Sequence, residues 1–434
     1  MRSMRKSKQH MPTISRFLYS IAIYCLLPLA LLRLLWRARR QPAYLRHLGE
    51  RFGLYHQPPL RQPLIWLHAV SVGETRAAAP LIALLRQRHP DHRILLTHTT
   101  PTGRAASEQL FGDDVLRYYL PYDLPGAVAR FLEHFRPQAG LLMETELWFN
   151  LIATCSRESV PLLLVNARLS ARSARGYARI GRLARQGLQA LAAVTAQTEA
   201  DAARLRILGA HNVSVVGNLK FDVTPTPAVH EVGTELRSLF NAARPVFLAA
   251  STRDGEEVIV LDAVRLAAVP GLLTVIVPRH PQRFCEVAAL LEKQGTPFRR
   301  RSEHVAVEAD CPLVLGDSMG EMFAYYAACD VAFIGGSLLP YGGQNLIEAC
   351  AMGKPVIIGK HTYNFEQSAE LAVAAGAALR VEDAEALAKT LRLLYADGAL
   401  RHKMGAAALA FSADHRGAAE RTVDQIAVFI EPVG

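Results

Sequence analysis

No Cys-x-x-C pair occurs among the six cysteines of this 434-residue chain. Zinc ribbons and redox dithiols are therefore excluded, and the wide scatter of Cys25, Cys155, Cys285, Cys311, Cys329 and Cys350 offers no disulfide framework. All six are expected to be reduced core residues of a cytosol-facing protein. No Gly-x-Gly-x-x-Gly follows an apolar run, which excludes a nicotinamide dehydrogenase, and the Walker phosphate loop is missing too. No Asp-x-Asp, with or without a nearby histidine, marks a divalent-cation site, so no metal and no cofactor are expected. Zinc knuckles, basic zippers and aromatic-basic RNA motifs are absent, and nucleic acid is not expected as a partner. Low-complexity tracts are lacking as well, and with half of its residues hydrophobic the chain has enough apolar side chains for large cores.

Acidic residues are scarce at one end. Residues 1–50 contain ten Lys or Arg and a single acid, Glu50, whereas 226–434 hold 25 acids against 19 basic residues. The basic front half suits an anionic partner such as phospholipid headgroups or a phosphorylated lipid. Within it, Ile14 to Trp36 is a 23-residue apolar stretch with Arg16 and Arg33 near its ends, long enough to cross a bilayer if the arginines snorkel. No small-x-small cleavage site follows it, so it is read as a retained membrane anchor with a basic flank over 1–40. Both flanks are basic, which leaves its orientation open and suits a helix lying in the interface as well as a spanning one.

Beyond the anchor, short apolar runs alternate with helix-like stretches. Residues 63–70, 92–99, 138–144, 160–168, 192–198 and 212–218 form one series, and 245–251, 272–280, 311–317, 330–337 and 354–360 form a second. This is the pattern of two α/β domains built on parallel, doubly wound sheets. The Thr224-Pro225-Thr226-Pro227 segment stops helices and keeps the chain extended, placing the boundary at 225. The expected domains are thus 41–225 and 226–434, with a last helix over about 400–430 that can return to the first domain. Ligands of such sheets collect beyond the carboxyl ends of the strands, and each polar run below follows an apolar one directly.

In the first domain the run ending at Val70 opens into Ser71-Val72-Gly73-Glu74-Thr75, placing Glu74 near a helix N-terminus, where it is either a capping acid or a general base. Glu144 and Glu146 follow the next run beside Trp148. They are read as residues that position an acceptor hydroxyl or raise the proton affinity of Glu74, provided the two strands are neighbours. Arg168 and Arg172 come after the run ending in Asn166 and begin an arginine series that is either a solvated face or a phosphate grip.

In the second domain Arg279 and His280 end a strand as two potential cations. Met319 and Gly320 lie in a loop before a helix. Gly342 and Gly343 let backbone approach a phosphate, a helix starting near Asn345 would aim amides at it, and Glu348 would accept from ribose hydroxyls. Together these features describe a nucleotide-sugar cleft.

The runs HAVSVGE, METELW, NARLS, GNLKFD, PRHP, DSMGEM, GGQNLIE and HTYNFE resemble, in order over most of residues 14–370, those of bacterial 3-deoxy-D-manno-octulosonic acid (Kdo) transferases. Phe149 and the proline-free stretch 344–349 depart from the usual family pattern. The resemblance implies a GT-B fold of two Rossmann-like domains facing across a cleft, an N-terminal inner-membrane anchor and catalytic domains on the cytoplasmic side. It also implies CMP-Kdo as donor, a tetra-acylated lipid A precursor as acceptor, and no metal. Carried over residue by residue, it makes Glu74 the base, puts Glu144 and Glu146 near the acceptor, and places Arg279, His280, Met319, Gly320, Asn345 and Glu348 around CMP. Another GT-B enzyme, or an inactive tethered nucleotide-sugar-binding protein, would share most of these features but would not need Glu74.

Overall fold

The computed structural model describes residues 14–39, 41–59, 62–222, 225 and 227–430. The basic residues before Ile14, Arg40, and Thr224 and Thr226 of the expected linker lie outside them. Two compact units result: Met1–Asp222 with Arg416–Gly434, and Val223–His415.

In the first unit seven parallel strands run β1 (Leu64–His68), β2 (Arg93–His98), β3 (Val115–Tyr119), β4 (Ala139–Met143), β5 (Leu162–Ala167), β6 (Ala193–Ala196) and β7 (Val213–Val215). Their order in the sheet is β3-β2-β1-β4-β5-β6-β7. Helices cover both faces, so alternate residues of one strand enter different cores: Leu64 and Trp66 lie in one, Ile65 and Leu67 in the other. Such double burial is why these strands read as unbroken apolar runs. Gly140 is the exception that packing demands, since a Cβ there would meet the Trp66 ring at 2.6 Å.

The second unit repeats the architecture with β8 (Val246–Thr252), β9 (Leu273–Pro278), β10 (Phe298–Arg300), β11 (Leu313–Leu315), β12 (Val331–Ile334), β13 (Val356–Ile358) and β14 (Ala378–Arg380). The order is β10-β11-β9-β8-β12-β13-β14. Three strands escaped the sequence reading, β3, β10 and β14, and each lies at a sheet edge. An edge strand has only one bonded neighbour and less cover, so Val-Leu-Arg-Tyr-Tyr, Phe-Arg-Arg and Ala-Leu-Arg carry polar residues that break the apolar signal. The cysteine expectation also needs correction. Cys25 and Cys285 are exposed, the first on an outward helix face and the second in the first turn of a surface helix, where no core requires them.

The apolar stretch is one helix, Ile14–Ala38, running through Pro28. It is long and apolar enough to cross a membrane, but it is also attached to its unit. The Tyr19 hydroxyl donates to Asp123 at 2.8 Å and the Ser20 hydroxyl to the Asn150 side chain at 2.9 Å. Asp123, 3% exposed, in turn accepts from the Asn150 and Leu151 amides at the start of the helix Phe149–Arg157. Phe149 packs edge-on against the Tyr19 ring, with centroids 5.3 Å apart.

At the other end, the expected terminal helix is two helices, Gly398–Asp414 and Ala418–Ile430, broken at Gly417. The second belongs to the first unit, packing beside the helix Ala79–Arg88. Its free amides are met from far along the chain: Asp222 accepts from Gly417 at 2.6 Å, from Ala418 at 3.2 Å, and from Ala419. One carboxylate thus caps the helix and answers its dipole. Asp222→Ala is expected to lower the unfolding free energy of this unit by about 1–3 kcal/mol, with Asp222→Asn losing less; unchanged urea midpoints for both variants would remove the cap from the account.

Candidate active site

Strand order brings the polar runs of the first unit together. The order of strands reverses between β1 and β4, which pair in parallel. Just past their carboxyl ends lie Glu74 and the segment Glu144–Trp148, at the switch point where such sheets bind ligands. The neighbour condition attached to the two strands is therefore met. Ser71 caps the helix Val72–Ala77, accepting from the Glu74 amide at 3.2 Å. The Glu74 carboxylate folds back to accept from the Val70 amide and the Ser71 hydroxyl, each at 2.8 Å. It has capping bonds, then, but it is also set among other acids.

Burial raises the proton affinity of Glu74 above the ordinary carboxylate range, the Val70 amide opposes this, and the charge of Glu144 adds to it. Glu146, half-buried beside Trp148, is pushed up to about 7, first by burial and then by the Glu74 charge. Lys220 is the counter-ion of the group, 3.3 Å from Glu144, and it lowers the Glu74 value in turn. Glu144 itself sits in the left-handed region at φ 58°, a costly conformation for a side chain of this kind that holds only where surroundings enforce it. Its amide donates to Val165 at 2.9 Å, and the next hydroxyl, Thr145, donates to the Arg168 carbonyl. Asn166, also left-handed, accepts from the Leu219 amide at 3.0 Å, one residue before Lys220.

Arg168 and Arg172 lie beyond β5, the next strand, with exposed side chains. Lys220 lies within the run GNLKFD. Nothing local marks it, since its meaning comes from Asn166 carrying its loop to the carboxylates.

In the second unit the carboxyl ends of four adjacent strands, β11, β9, β8 and β12, collect the remaining candidates. Gly335 must be glycine because a Cβ would lie 2.5 Å from the Ser251 carbonyl. Glu256, wholly buried, clamps the loop after β12, accepting from Gly336 at 2.5 Å and Leu338 at 3.0 Å while also taking the Arg253 amide. Gly342 and Gly343 have φ of 90° and 77°, and a Cβ at Gly342 would strike Asn364 and Tyr363 at 2.4 Å. Arg279 donates from Nε to the Gln344 side-chain oxygen Oε1 at 3.0 Å, fixing the guanidinium against this glycine loop. Met319 is 53% exposed beside Gly320, whose φ is 84°, and so presents an apolar side chain at the strand ends.

Two expectations change here. His280 is disfavoured as a second cation. Burial and the charges of Arg253, Arg279 and Arg283 lower its proton affinity, and Nε2 accepts from Arg253 at 2.9 Å, which leaves Nδ1 as the protonated nitrogen. The positive partner is Arg253, and its signal was present in the Thr-Arg-Asp-Gly run directly after β8. The helix expected from Asn345 is only Ile347–Ala351, and the Asn345 side-chain oxygen Oδ1 already accepts from the Ile347 amide at 3.1 Å. Asn345 also donates to Glu348 at 3.1 Å, so it orients that carboxylate rather than leaving a row of open amides.

Two doubly wound parallel units, one gathering carboxylates and the other a glycine loop with arginines at its strand ends, define a glycosyltransferase of the GT-B kind. Residues 46–223 match the family model described as 3-deoxy-D-manno-octulosonic-acid transferase, and 272–411 match glycosyl transferases group 1. The 3-deoxy-D-manno-octulosonic acid transferase of Bordetella pertussis is 45% identical over 95% of this chain and 99% of its own length. That of Haemophilus influenzae is 37% identical over 96% and 99%. A glycosyltransferase of Rickettsia africae, 14% identical, matches the fold with a TM-score of 0.58 over 86% of this chain and 100% of its own. The chain belongs to the Kdo transferase family.

Glu146 provides a direct test of the carboxylate cluster. Its ionised form is penalised in the folded state; the penalty is absent below the unfolded carboxyl's ordinary value near 4.5 and complete above about 7. Glu146→Gln is therefore expected to stabilise the protein at pH 8 by about 2 kcal/mol, with the gain fading as pH falls through this window. Denaturant midpoints that shift equally at pH 8 and pH 4.5 would contradict the assignment.

Proposed function

We propose that this enzyme transfers Kdo from CMP-Kdo to a hydroxyl of a tetra-acylated lipid A precursor, at the cytoplasmic side of the bacterial inner membrane, by a single inverting displacement. The observation that carries the reading is the convergence of Glu74, Glu144 and Glu146 at the β1–β4 switch point, in a chain of this family. Glu74 is the general base: its raised proton affinity brings it closer to the operating pH, where a base works best. It takes the acceptor hydroxyl proton as that oxygen bonds the anomeric carbon, and the bond from that carbon to the CMP phosphate oxygen breaks with its electron pair. Glu144 and Glu146 hold the acceptor, and Arg168 and Arg172 meet its phosphates.

On the donor side, Arg279, held by Gln344, faces the negative charge that develops on the phosphate, and Gly342 and Gly343 allow the backbone close to it. His280 donates from Nδ1, Met319 and Gly320 receive the cytosine, and Glu348, oriented by Asn345, accepts from the ribose. The positive charge for the departing phosphate comes from the chain itself, so this scheme needs no metal. The helix Ile14–Ala38 is the membrane anchor.

Incubating the purified protein with CMP-Kdo and the tetra-acylated precursor, then weighing the lipid product, tests the reaction; an unmodified lipid overturns it. Glu74→Gln is expected to keep the fold and donor affinity while kcat falls by roughly 10²–10⁴; a near-normal kcat would reduce Glu74 to a cap. Glu348→Ala is expected to weaken CMP binding by about 1–3 kcal/mol, measured by calorimetry, with acceptor affinity unchanged.

A further inference from the structure

The helix Ile14–Ala38 has two unlike faces. Tyr19, Ile23, Leu27, Leu31, Leu34 and Ala38, spaced by three or four residues, are half-buried or buried along its whole length. The opposite face is apolar and open: Phe17 is 56% exposed, Leu29 62%, Leu32 61% and Trp36 58%. The first face lies on its own unit, beside the helices Phe149–Arg157 and Arg182–Gln189. From Arg168 to Thr198 the sequence holds six arginines and no acid, and Arg172, Arg175, Arg179, Arg182 and Arg185 are all exposed. The helix thus lies beside a segment whose exposed charges from Arg172 to Arg185 are all cationic.

A helix that crosses a bilayer meets lipid or other membrane-embedded helices along its length. This one meets a globular domain along one side, and placing it across the hydrocarbon would carry the neighbouring helix with Arg182 and Arg185 in with it. Laid in the plane of the interface, the same helix buries its outer face in the acyl boundary and sets the arginines among anionic headgroups, the arrangement of interfacial amphipathic anchors. The basic residues on both sides of the apolar stretch then stay at one membrane surface, which removes the conflict in their topology signal.

We propose that Ile14–Ala38 lies in the plane of the membrane, with the arginines of residues 172–185 beside it on anionic lipid, and does not span the bilayer. The proposal rests on the anchoring role given above and deepens it. Because Tyr19 and Ser20 hold Asp123 and Asn150, the lipid-seated helix also supports the segment that follows Glu146. It therefore does more than raise the local concentration of enzyme at the surface.

The test uses the full-length Cys285→Ser protein, in which Cys25 is left as the exposed thiol. A polarity-sensitive dye is placed on Cys25, or on Leu18→Cys or Leu32→Cys with Cys25→Ser. Vesicles of phosphatidylcholine and phosphatidylglycerol carry quenchers at shallow or deep acyl positions. Equal, shallow quenching at all three sites is expected. A maximum of depth at Cys25, with 18 and 32 shallower, overturns the in-plane arrangement alone, whereas no dye response to vesicles overturns the anchoring reading with it. An epitope tag placed before Met1 should stay protected from protease in intact spheroplasts; its cleavage would show a spanning helix. Arg175→Gln/Arg179→Gln/Arg182→Gln is expected to weaken binding to the anionic vesicles about tenfold or more and to flatten its salt dependence, with binding to pure phosphatidylcholine unchanged. Undiminished binding to the anionic vesicles would remove the arginines from the surface.

Discussion

Both sheets are parallel and covered on both faces, and this constraint governs where polar chemistry is possible in the molecule. Within a strand such as Leu64–His68 every residue is buried, so a charge there would lack partners and water. The chain becomes free to carry carboxylates and arginines where it leaves the sheet. Because all strands of a unit point the same way, those exits lie at one end. The reversal of strand order then separates two of the connecting segments, β1 from β4 and β8 from β12, and opens space between them. Glu74 and Glu144–Glu146 in one unit, and Arg253 and the loop after β12 in the other, occupy those positions.

Gathering charge in this way costs stability. Three acids near one another, two of them with raised proton affinity and one in a left-handed backbone conformation, oppose folding. The surrounding structure offsets this with specific bonds rather than more apolar burial: Lys220 beside Glu144, the Val70 amide and Ser71 hydroxyl on Glu74, and Asn166 holding the Lys220 loop in place. In the second unit Glu256 plays a structural part, spending its buried carboxylate on loop amides. Similar residue types at strand ends thus have different surroundings, one group partly exposed and the other locked into the scaffold.

The helix Ile14–Ala38 joins these themes. Its hydroxyl-bearing edge completes the bonding of buried Asp123, which caps the helix that follows the Glu146 segment. Phe149, a departure from the usual family pattern, contributes the ring that packs on Tyr19. The terminal helix Ala418–Ile430 likewise completes the first unit from the far end of the chain, held by Asp222.

By itself the sequence determined the doubly wound class, all the interior strands, the strand-end runs that carry the candidate residues, and the long apolar stretch of Ile14–Trp36. Each is a local signal, because a strand buried on both faces must be continuously apolar and its exit must be polar. The edge strands β3, β10 and β14 were not legible, since partial cover lets arginines and tyrosines into them. Only the tertiary structure decided that Lys220 joins the acids, that three arginines lower the proton affinity of His280, and that Asn345 caps a short turn instead of opening a long helix. It also decided that the helix Ile14–Ala38 has a protein-facing side. None of these could be read along the chain: charge state and pairing depend on distances between residues that lie far apart in sequence, and strand order, not sequence order, sets those distances.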